Sequence, residues 1–383
     1  MKPNNTYEAI VVGGALAGAC AAFHLARQGV SVLILEKETQ AHHKVCGEFL
    51  SAAALPYLEA MHVDLLELGA EKLNRFQIHS KNFQHRGPLP GESFGISRFK
   101  LDEACLNQAQ AAGAELERGV AVSGFRKEGE RFVVTSSDGR EWKSSALFLA
   151  HGKHEIQSIQ KRQGKERSAI GFKMQLRLSQ AAKRDLDHDI AMCFFKGGYA
   201  GLCAIEEGLS SLCFIIEKEI YKKVGGDFEA SLNYLQEQNP RLKQLIEAAD
   251  FAWAKPLAIA QLPYGYLHRS NPQNQDEKIY YLGDQFAVIP SITGSGMSIA
   301  LYTGKQAALD YIRSQRGEPS RYQAQCSELI RQRMRLAYPL HRLCQSALLA
   351  DLCTLALKPF PQWAQSLVEK IGMYQSDLNT TPY

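Results

Sequence analysis

Residues Tyr7–Lys37 read YEAIVVGGALAGACAAFHLARQGVSVLILEK, and this order of residue types describes a strand, a tight turn, a helix and a second strand. Ala9 to Val12 is an apolar run ending in glycine, which suits a strand buried on both faces. Gly13 and Gly14 make the turn. Leu16 to Gln28 is rich in alanine and leucine at helical spacing, and Gly29 stops it. Ser31 to Leu35 is the second strand, with Glu36 at its end. A helix N-terminus carries unpaired N–H groups and partial positive charge, so it attracts a pyrophosphate. Gly13 and Gly18 fit the pattern G-x-G-x-x-G, with Ala15 in place of its middle glycine. Glu36 lies about 20 residues on, where an acid accepts hydrogen bonds from a ribose. The stretch predicts a nucleotide-binding βαβ unit; a purely structural unit of the same shape is the alternative.

The chain has 383 residues, more than one core usually supports, so two domains or one elaborated domain is expected. Hydrophobic residues make up 45% and charged residues 22%, an ordinary globular balance. A net charge of +4 is too mild to argue for nucleic acid. The N-terminal MKPNNTYEA has no apolar signal region, and no apolar run approaches a membrane span. The nine cysteines are scattered, without a C-x-x-C pair. That favours reduced thiols and a cytoplasmic location over a disulfide framework or zinc.

Beyond Glu36, VCGEFL is glycine-centred and irregular, and a small helix is expected from Ser51, which would cap it. His42, His43 and Cys46 sit in a polar loop without the converging ligands a metal needs, so no metal is expected. Leu101 to Ala112 reads as a helix and Ala114 to Gly119 as a strand. Phe132–Ser136 and Glu141–Ser144 flank an Asp138-Gly139 hairpin turn. ALFLA, Ala146 to Ala150, reads as a separate buried strand ending at His151-Gly152. Between Ile170 and Tyr266 the pattern changes: IGFKMQLRLS, IAMCFFKGGYAGLCAIEEG and LSSLCFIIEK each read as a long antiparallel strand. A strand from Ile279 to Leu282 then ends at Gly283-Asp284, and a loop with Pro290, Gly294, Ser295 and Gly296 opens a helix from Met297. The remainder is mainly helical. Ser346 to Leu357 is its most apolar part, where packing over the core is favoured and peripheral membrane contact is the alternative.

Taken together, these blocks resemble FAD-dependent oxidoreductases of the aromatic-hydroxylase and geranylgeranyl-reductase superfamily. VVGGALAG with Glu36 resembles their ADP-binding motif, SRFKLDEACLNQAQAAGAEL the segment whose arginine reaches the flavin side, and YLGDQFAVIPSITGSGMSIAL their GD motif. HKVCGEFLS is similar to the K-x-C-G-E segment of the geranylgeranyl-reductase-like members. One departure stands at His151-Gly152, where hydroxylases usually carry Asp-Gly serving FAD and NAD(P)H. The resemblance implies an α/β fold: a Rossmann-like FAD-binding domain of the glutathione-reductase type, an inserted antiparallel-sheet substrate domain and a helical C-terminal region. The FAD-binding domain would comprise 1–77, 96–155 and 276–312, the substrate domain 78–95 and 156–275, and the helical region 313–383.

The same resemblance implies which residues hold FAD. Gly13, Ala15, Leu16, Ala17 and Gly18 would face the pyrophosphate, and Glu36, Lys37 and Ala121 the adenosine. Lys44, Val45, Arg98 and Gly152 would lie along the dinucleotide, Cys46 and Gly47 beside the isoalloxazine ring, and Gly283 and Asp284 at the ribityl chain. Pro290, Gly294, Ser295, Gly296 and Met297 would face the ring, the helix N-terminus stabilising negative charge on it. Cys46, Glu48 and Tyr199 are the catalytic candidates, although a buried thiol is equally packing. Phe172, Met174, Phe194, Tyr199, Leu202 and Trp253 are candidates for the substrate pocket. The expected activity is that of a flavin monooxygenase acting on an aromatic or conjugated small molecule, with NAD(P)H a possible electron donor. Reduction of carbon–carbon double bonds is the alternative. Halogenation, for which no W-x-W-x-I-P stretch is found, and a non-catalytic FAD-binding role rank lower.

Overall fold

The structure is a computed structural model and describes residues 5–154, 156, 162, 164, 169–269, 278–357 and 361–372. The opening stretch folds as β1 (Thr6–Val12), α1 (Leu16–Arg27) and β2 (Val32–Glu36). A short β3 (Phe49–Leu50) and α2 (Leu55–Ala60) lead to the hairpin β4 (Glu71–His79) and β5 (Gln84–Gly95). Next come α3 (Arg98–Ala111), β6 (Glu115–Arg118), β7 (Val122–Glu128), β8 (Arg131–Ser136) and β9 (Glu141–Leu149). The middle of the chain supplies β10 (Ala169–Arg177), α4 (Gln180–Leu186), β11 (Asp189–Phe195), β12 (Gly198–Ala204) and β13 (Ser210–Glu217). Helices α5 (Lys218–Val224), α6 (Phe228–Gln238) and α7 (Pro240–Ile246) follow. Short strands β14 (Asp250–Phe251), β15 (Leu257–Ala260), β16 (Tyr266–Leu267), β17 (Ile279–Tyr281) and β18 (Ala287–Val288) precede α8 (Gly296–Ser314). The chain then forms α9 (Tyr322–Cys344), α10 (Ala347–Leu357) and α11 (Pro361–Ile371).

The first sheet runs β6-β2-β1-β9-β8-β7, with β17 also on β9. Its β6, β2, β1, β9 and β17 pair in parallel, and β7, β8 and β9 form a meander. The two runs read separately as Glu141–Ser144 and ALFLA are one strand, β9. Its first half pairs with β8 and its second half with β17, so one unbroken backbone serves two neighbours in turn.

The second sheet runs β14-β10-β13-β12-β11-β4-β5-β3, with β15 on β10. It is mixed and not wholly antiparallel, because β4 arrives from the first part of the chain and pairs in parallel with β11. The expected boundary between 77 and 78 falls inside β4. The stretch IAMCFFKGGYAGLCAIEEG is a hairpin, not one strand. Gly197 takes φ +83° at its turn, and a Cβ on Gly198 would fall 2.0 Å from the Ile215 carbonyl.

Side-chain alternation gives this sheet two faces. Phe172, Met174, Leu202, Leu212 and Phe214 point to a core closed by residues of α4, α6 and α7. Phe172, Met174 and Leu202 therefore lie on the far face from the Cys46 loop and cannot line a pocket over it. The near face carries Gly171, Lys173, Tyr199 and Cys203. A Cβ on Gly171 would sit 3.4 Å from Val45, and the Cys203 thiol is 3.5 Å from the Gly47 carbonyl.

Ser51 does not cap a helix; its hydroxyl lies 3.0 Å from that of Ser298, and a short 3-10 turn precedes α2. Ser97 caps α3 by accepting from the Lys100 N–H, so this helix starts three residues before Leu101. The C-terminal helices are anchored by buried Asp310 of α8, which accepts from the N–H groups of Arg321 (2.8 Å) and Tyr322 (3.1 Å) at the start of α9. Helices α1 and α8 touch backbone to backbone: a Cβ on Gly304 would lie 2.4 Å from the Ala17 carbonyl. Overpacking a close contact costs about 1–3 kcal/mol. Gly304→Val is therefore expected to lower the thermal melting temperature and reduce flavin content. An unchanged melt would show that the helices have room to part.

Candidate active site

At the βαβ turn, Glu36 is buried, and its carboxylate accepts from the N–H groups of Gly14 (2.7 Å) and Glu38 (3.0 Å). The acid thus braces the turn, and a carboxylate retains further lone pairs for a ribose. Gly18 is required by packing, since a Cβ there would lie 1.9 Å from the Gly13 carbonyl. The side chains of Leu16 and Ala17 are buried in the α1 packing, so only their backbone can face a ligand. Ala121 is exposed just past Val120, whose N–H donates to the Glu36 carbonyl at 2.9 Å. Lys37 turns outward, with Nζ 2.9 Å from His154 Nε2.

A cleft lined by Gly14, Ala15, Glu36, Lys44, Arg98 and Asp102 runs from this turn along α3. Arg98 donates twice to Asp102, at 2.6 and 2.9 Å, and Lys44 donates to it at 2.6 Å. Burial alone would raise the Asp102 carboxyl, but Arg98 first and then Lys44 outweigh it and hold it at about 2. Burial likewise opposes the Arg98 charge, and Asp102 overrides it, with the Cys46 sulfur adding to the effect. Two cations around one carboxylate leave a positive wall, which suits a pyrophosphate.

Just after β9, His151 is half-buried with both ring nitrogens enclosed, and neither nitrogen has a hydrogen-bond partner among the described residues. Burial, with Arg162 and His154 nearby, pushes its pKa down to about 3. The next residue, Gly152, takes φ +64°, and a Cβ there would meet open space. Gln285 donates to the carbonyls of Gly152 (2.6 Å) and His154 (3.1 Å), while Arg162 donates to those of Gly152 and Asp284. These bonds fix the Gly283–Asp284 turn against the turn after β9. The Gly283 N–H is itself held by Thr303 Oγ1 at 2.9 Å.

Further along, Ser291 and Gly296 are exposed within a segment whose flanks, 285–290 and 297–299, are buried. Pro290, Ser295 and Met297 are among the buried residues, and Gly294 takes φ +65° against Phe49. A Cβ on Gly296 or Gly47 would meet nothing within 4 Å. Open space beside glycines at 47, 152 and 296, an unpartnered imidazole at 151 and a positive cleft fit a dinucleotide with a flat ring.

The three catalytic candidates fall in two places. Glu48 sits at φ +59° with its side chain fully buried. Its carboxylate forms an ion pair with the equally buried Lys173 of β10 and accepts from the Arg98 N–H at 2.9 Å. The Lys173 ammonium also lies 5.7 Å from the Trp253 ring centre. Cys46 is half-buried, with its sulfur 3.4 Å from the Glu48 N–H. Tyr199 is buried four residues along β12 from Cys203, about 13 Å of strand away from the Cys46 loop. Its hydroxyl is 2.5 Å from Ser291 Oγ, which is 2.8 Å from the Tyr264 hydroxyl. The His341 ring lies edge-on to both tyrosines. Sequence reasoning missed Lys173, Ser291, Tyr264 and Asp102. A lysine inside IGFKMQL, an otherwise apolar alternating strand, was the available signal for the first.

Comparison with known proteins agrees with this geometry. Residues 6–150 match the FAD binding domain family. Protein FixC of Escherichia coli O157:H7 is 27% identical over 261 residues, covering 63% of this chain and 59% of the relative, so the chain spans about three fifths of that protein's length. Protein FixC of Salmonella typhi is 25% identical over 338 residues, 79% of this chain and 76% of the relative. Digeranylgeranylglycerophospholipid reductase of Sulfolobus acidocaldarius is 26% identical over 117 residues, 29% of this chain and 25% of the relative. The solved structure of the flavin-dependent brominase Bmp2 shares the fold, with a TM-score of 0.81 at 17% identity, covering 96% of this chain and 94% of that one. These similarities support placement among FAD-dependent oxidoreductases, with the FAD binding domain match confined to residues 6–150, and FAD is the cofactor. Within that class, its similarity extends to both the FixC proteins and the geranylgeranyl reductases.

Two measurements follow from the site. Removing one partner of a buried ion pair costs about 3–5 kcal/mol. Lys173→Met should therefore lower the urea midpoint sharply, and Lys173→Met with Glu48→Gln should restore much of the loss. A double variant no better than the single one would show that the pair's charges are not what matters. Burial also holds His24, His79 and His268 neutral, lowering each from 6.5 to about 4, as it lowers His151 to about 3. The unfolded chain takes up protons below 6.5 that these folded histidines refuse, so stability should fall as pH drops from 6.5 towards 4. An unfolding midpoint equal at pH about 7 and about 5 would contradict that burial.

Proposed function

We propose that this protein is a flavin monooxygenase acting on an electron-rich aromatic small molecule that carries a hydroxyl group. The reading is supported chiefly by the Tyr199–Ser291–Tyr264 hydroxyl chain. It lies among Phe194, Ile215 and Val288, beside the exposed Ser291 and Gly296. Apolar walls receive an aromatic ring, and a fixed hydroxyl chain orients its oxygen. Tyr199 stays protonated, because burial raises its pKa well above the usual value. It can thus donate to a substrate oxygen while Ser291 accepts or donates in turn. When bound and reduced by an external two-electron donor such as NAD(P)H, FAD would supply two electrons to dioxygen, so that one oxygen atom could enter the substrate and the other leave as water. In this reading Gly47 leaves room for the ring, Glu48 and Lys173 hold the loop that carries it, and the start of α8 stabilises developing negative charge. Glu36 would bind the adenosine ribose and Asp284 the ribityl hydroxyls.

A second reading, reduction of a carbon–carbon double bond, is favoured by the Lys44–Glu48 segment and by the sequence relatives named as reductases. The two readings separate when FAD-loaded protein is reduced without oxygen and mixed with phenols or polyprenyl compounds, with and without isotope-labelled dioxygen. Labelled hydroxylated product supports the first; anaerobic loss of a double bond overturns it in favour of the second. Tyr199→Phe removes one donor at the substrate oxygen. It should lower kcat/KM for a phenol about tenfold, the equivalent of roughly 1.4 kcal/mol, without releasing FAD. Unchanged kinetics would remove Tyr199 from the site.

A further inference from the structure

Helix α10, ALLADLCTLAL, is packed inside out. A helix on a protein surface ordinarily turns leucine to the core and polar residues to water. Here Asp351 and Thr354 face inward. Asp351 accepts from the N–H (3.1 Å) and Nδ2 (2.7 Å) of Asn82, and Thr354 donates to the Ala350 carbonyl at 2.8 Å. Leu348, Leu349, Leu352 and Leu355, spaced i, i+1, i+4 and i+7, face solvent, with Leu348 68% and Leu352 52% exposed. The neighbouring α9 exposes Leu336 and Leu343 interleaved with Arg335 and Arg342. Six exposed leucines on two adjoining helices are more than a monomer's surface needs.

We propose that this α9–α10 corner docks on an anionic lipid surface. Spanning is excluded for α10: its 11 residues extend about 16 Å, against a hydrocarbon core about 30 Å thick. A helix whose exposed face is apolar and whose flanks are basic lies in the interfacial plane instead. The flanks here are Arg335 and Arg342 on α9 and Lys196 and Lys218 in the adjoining groove, which has a volume of about 700 Å³. Glu217 and Glu219 line the same groove, leaving three cations to two carboxylates with Arg342 included. Two copies meeting face to face would set Arg335 and Arg342 against their equivalents. An anionic headgroup layer instead meets these cations while the leucines enter the acyl boundary. The inner side of the corner, at Cys344 and Ala350, packs on the cluster that holds Tyr199 and Tyr264. Docking would therefore place the hydroxyl chain just beneath a lipid surface. The inference does not depend on which reaction the site performs.

The test is sedimentation of the full-length, FAD-loaded protein with phosphatidylcholine vesicles, with and without phosphatidylglycerol. Wild type should bind the anionic vesicles and release at high salt. Leu348→Glu with Leu352→Glu should weaken that binding at least about tenfold, while flavin content and melting temperature stay unchanged. Arg335→Gln with Arg342→Gln should remove the preference for phosphatidylglycerol. Should the glutamate pair melt early, Leu348→Gln with Leu352→Gln gives the same comparison. Wild type that stays in the supernatant, or leucine variants that bind equally, would overturn the proposal. So would a lipid-free dimer that the leucine variants dissolve, since a second copy would then own the face.

Discussion

The N-terminus of α3 is the point on which both halves of the molecule are hung. Buried Glu48, from the loop after β2, accepts from the Arg98 N–H, and buried Glu206, from the tip of the second sheet, accepts from the Ser97 N–H. Two carboxylates thus meet the positive end of one helix, an arrangement the helix dipole favours. Neither acid is local to α3. Glu48 also reaches Lys173 in the second sheet, so a helix of the first sheet, the Cys46 loop and β10 share one buried network. This enclosed network ties the cofactor-side cleft to the sheet that also carries Tyr199.

Much of the fold was legible because local patterns agreed with it. The apolar run from Ala9 to Val12, the glycine turn, the alanine-rich helix and Gly29 each fix their own element without distant help. Legibility failed where one backbone serves two neighbours. Nothing within Glu141–Leu149 marks that its halves pair with different strands, since pairing is decided by partners far away in sequence. The hairpin at Lys196-Gly197 was hidden for a different reason. Both of its strands are apolar on both faces, so no change of period announces the turn.

The site divides in the same way. Spacing located Glu36 and the glycines, but it could not reveal that Glu36 braces the turn through Gly14 and Glu38. Cys46 and Glu48 are two positions apart in sequence yet differ in setting: one is half-buried, while the other is turned inward by a left-handed backbone. Alternation along β10 and β12 decided which aromatic residues face the loop, and that requires knowing which face the helices cover. Tyr264 carries no motif, and Ser291 lies within the GD stretch without a role there; both matter only because three hydroxyls converge.

The position of β17 has a consequence for how the chain is made. Its pairing with β9 completes the first sheet, so a unit that begins at Thr6 closes only with Ile279–Tyr281. The second sheet is interleaved with it, since β4 must wait for β11, with Arg75 and Asp189 separated by 114 positions. During synthesis β1 and β2 gain both neighbours once β9 is made, whereas the second half of β9 keeps an open edge until most of the protein has left the ribosome. Such late, long-range parallel pairing is slow and leaves apolar strands open to aggregation. A molecular chaperone that shields the open edges of β9 and β4 during that interval would matter more here than in a protein whose sheets close in chain order.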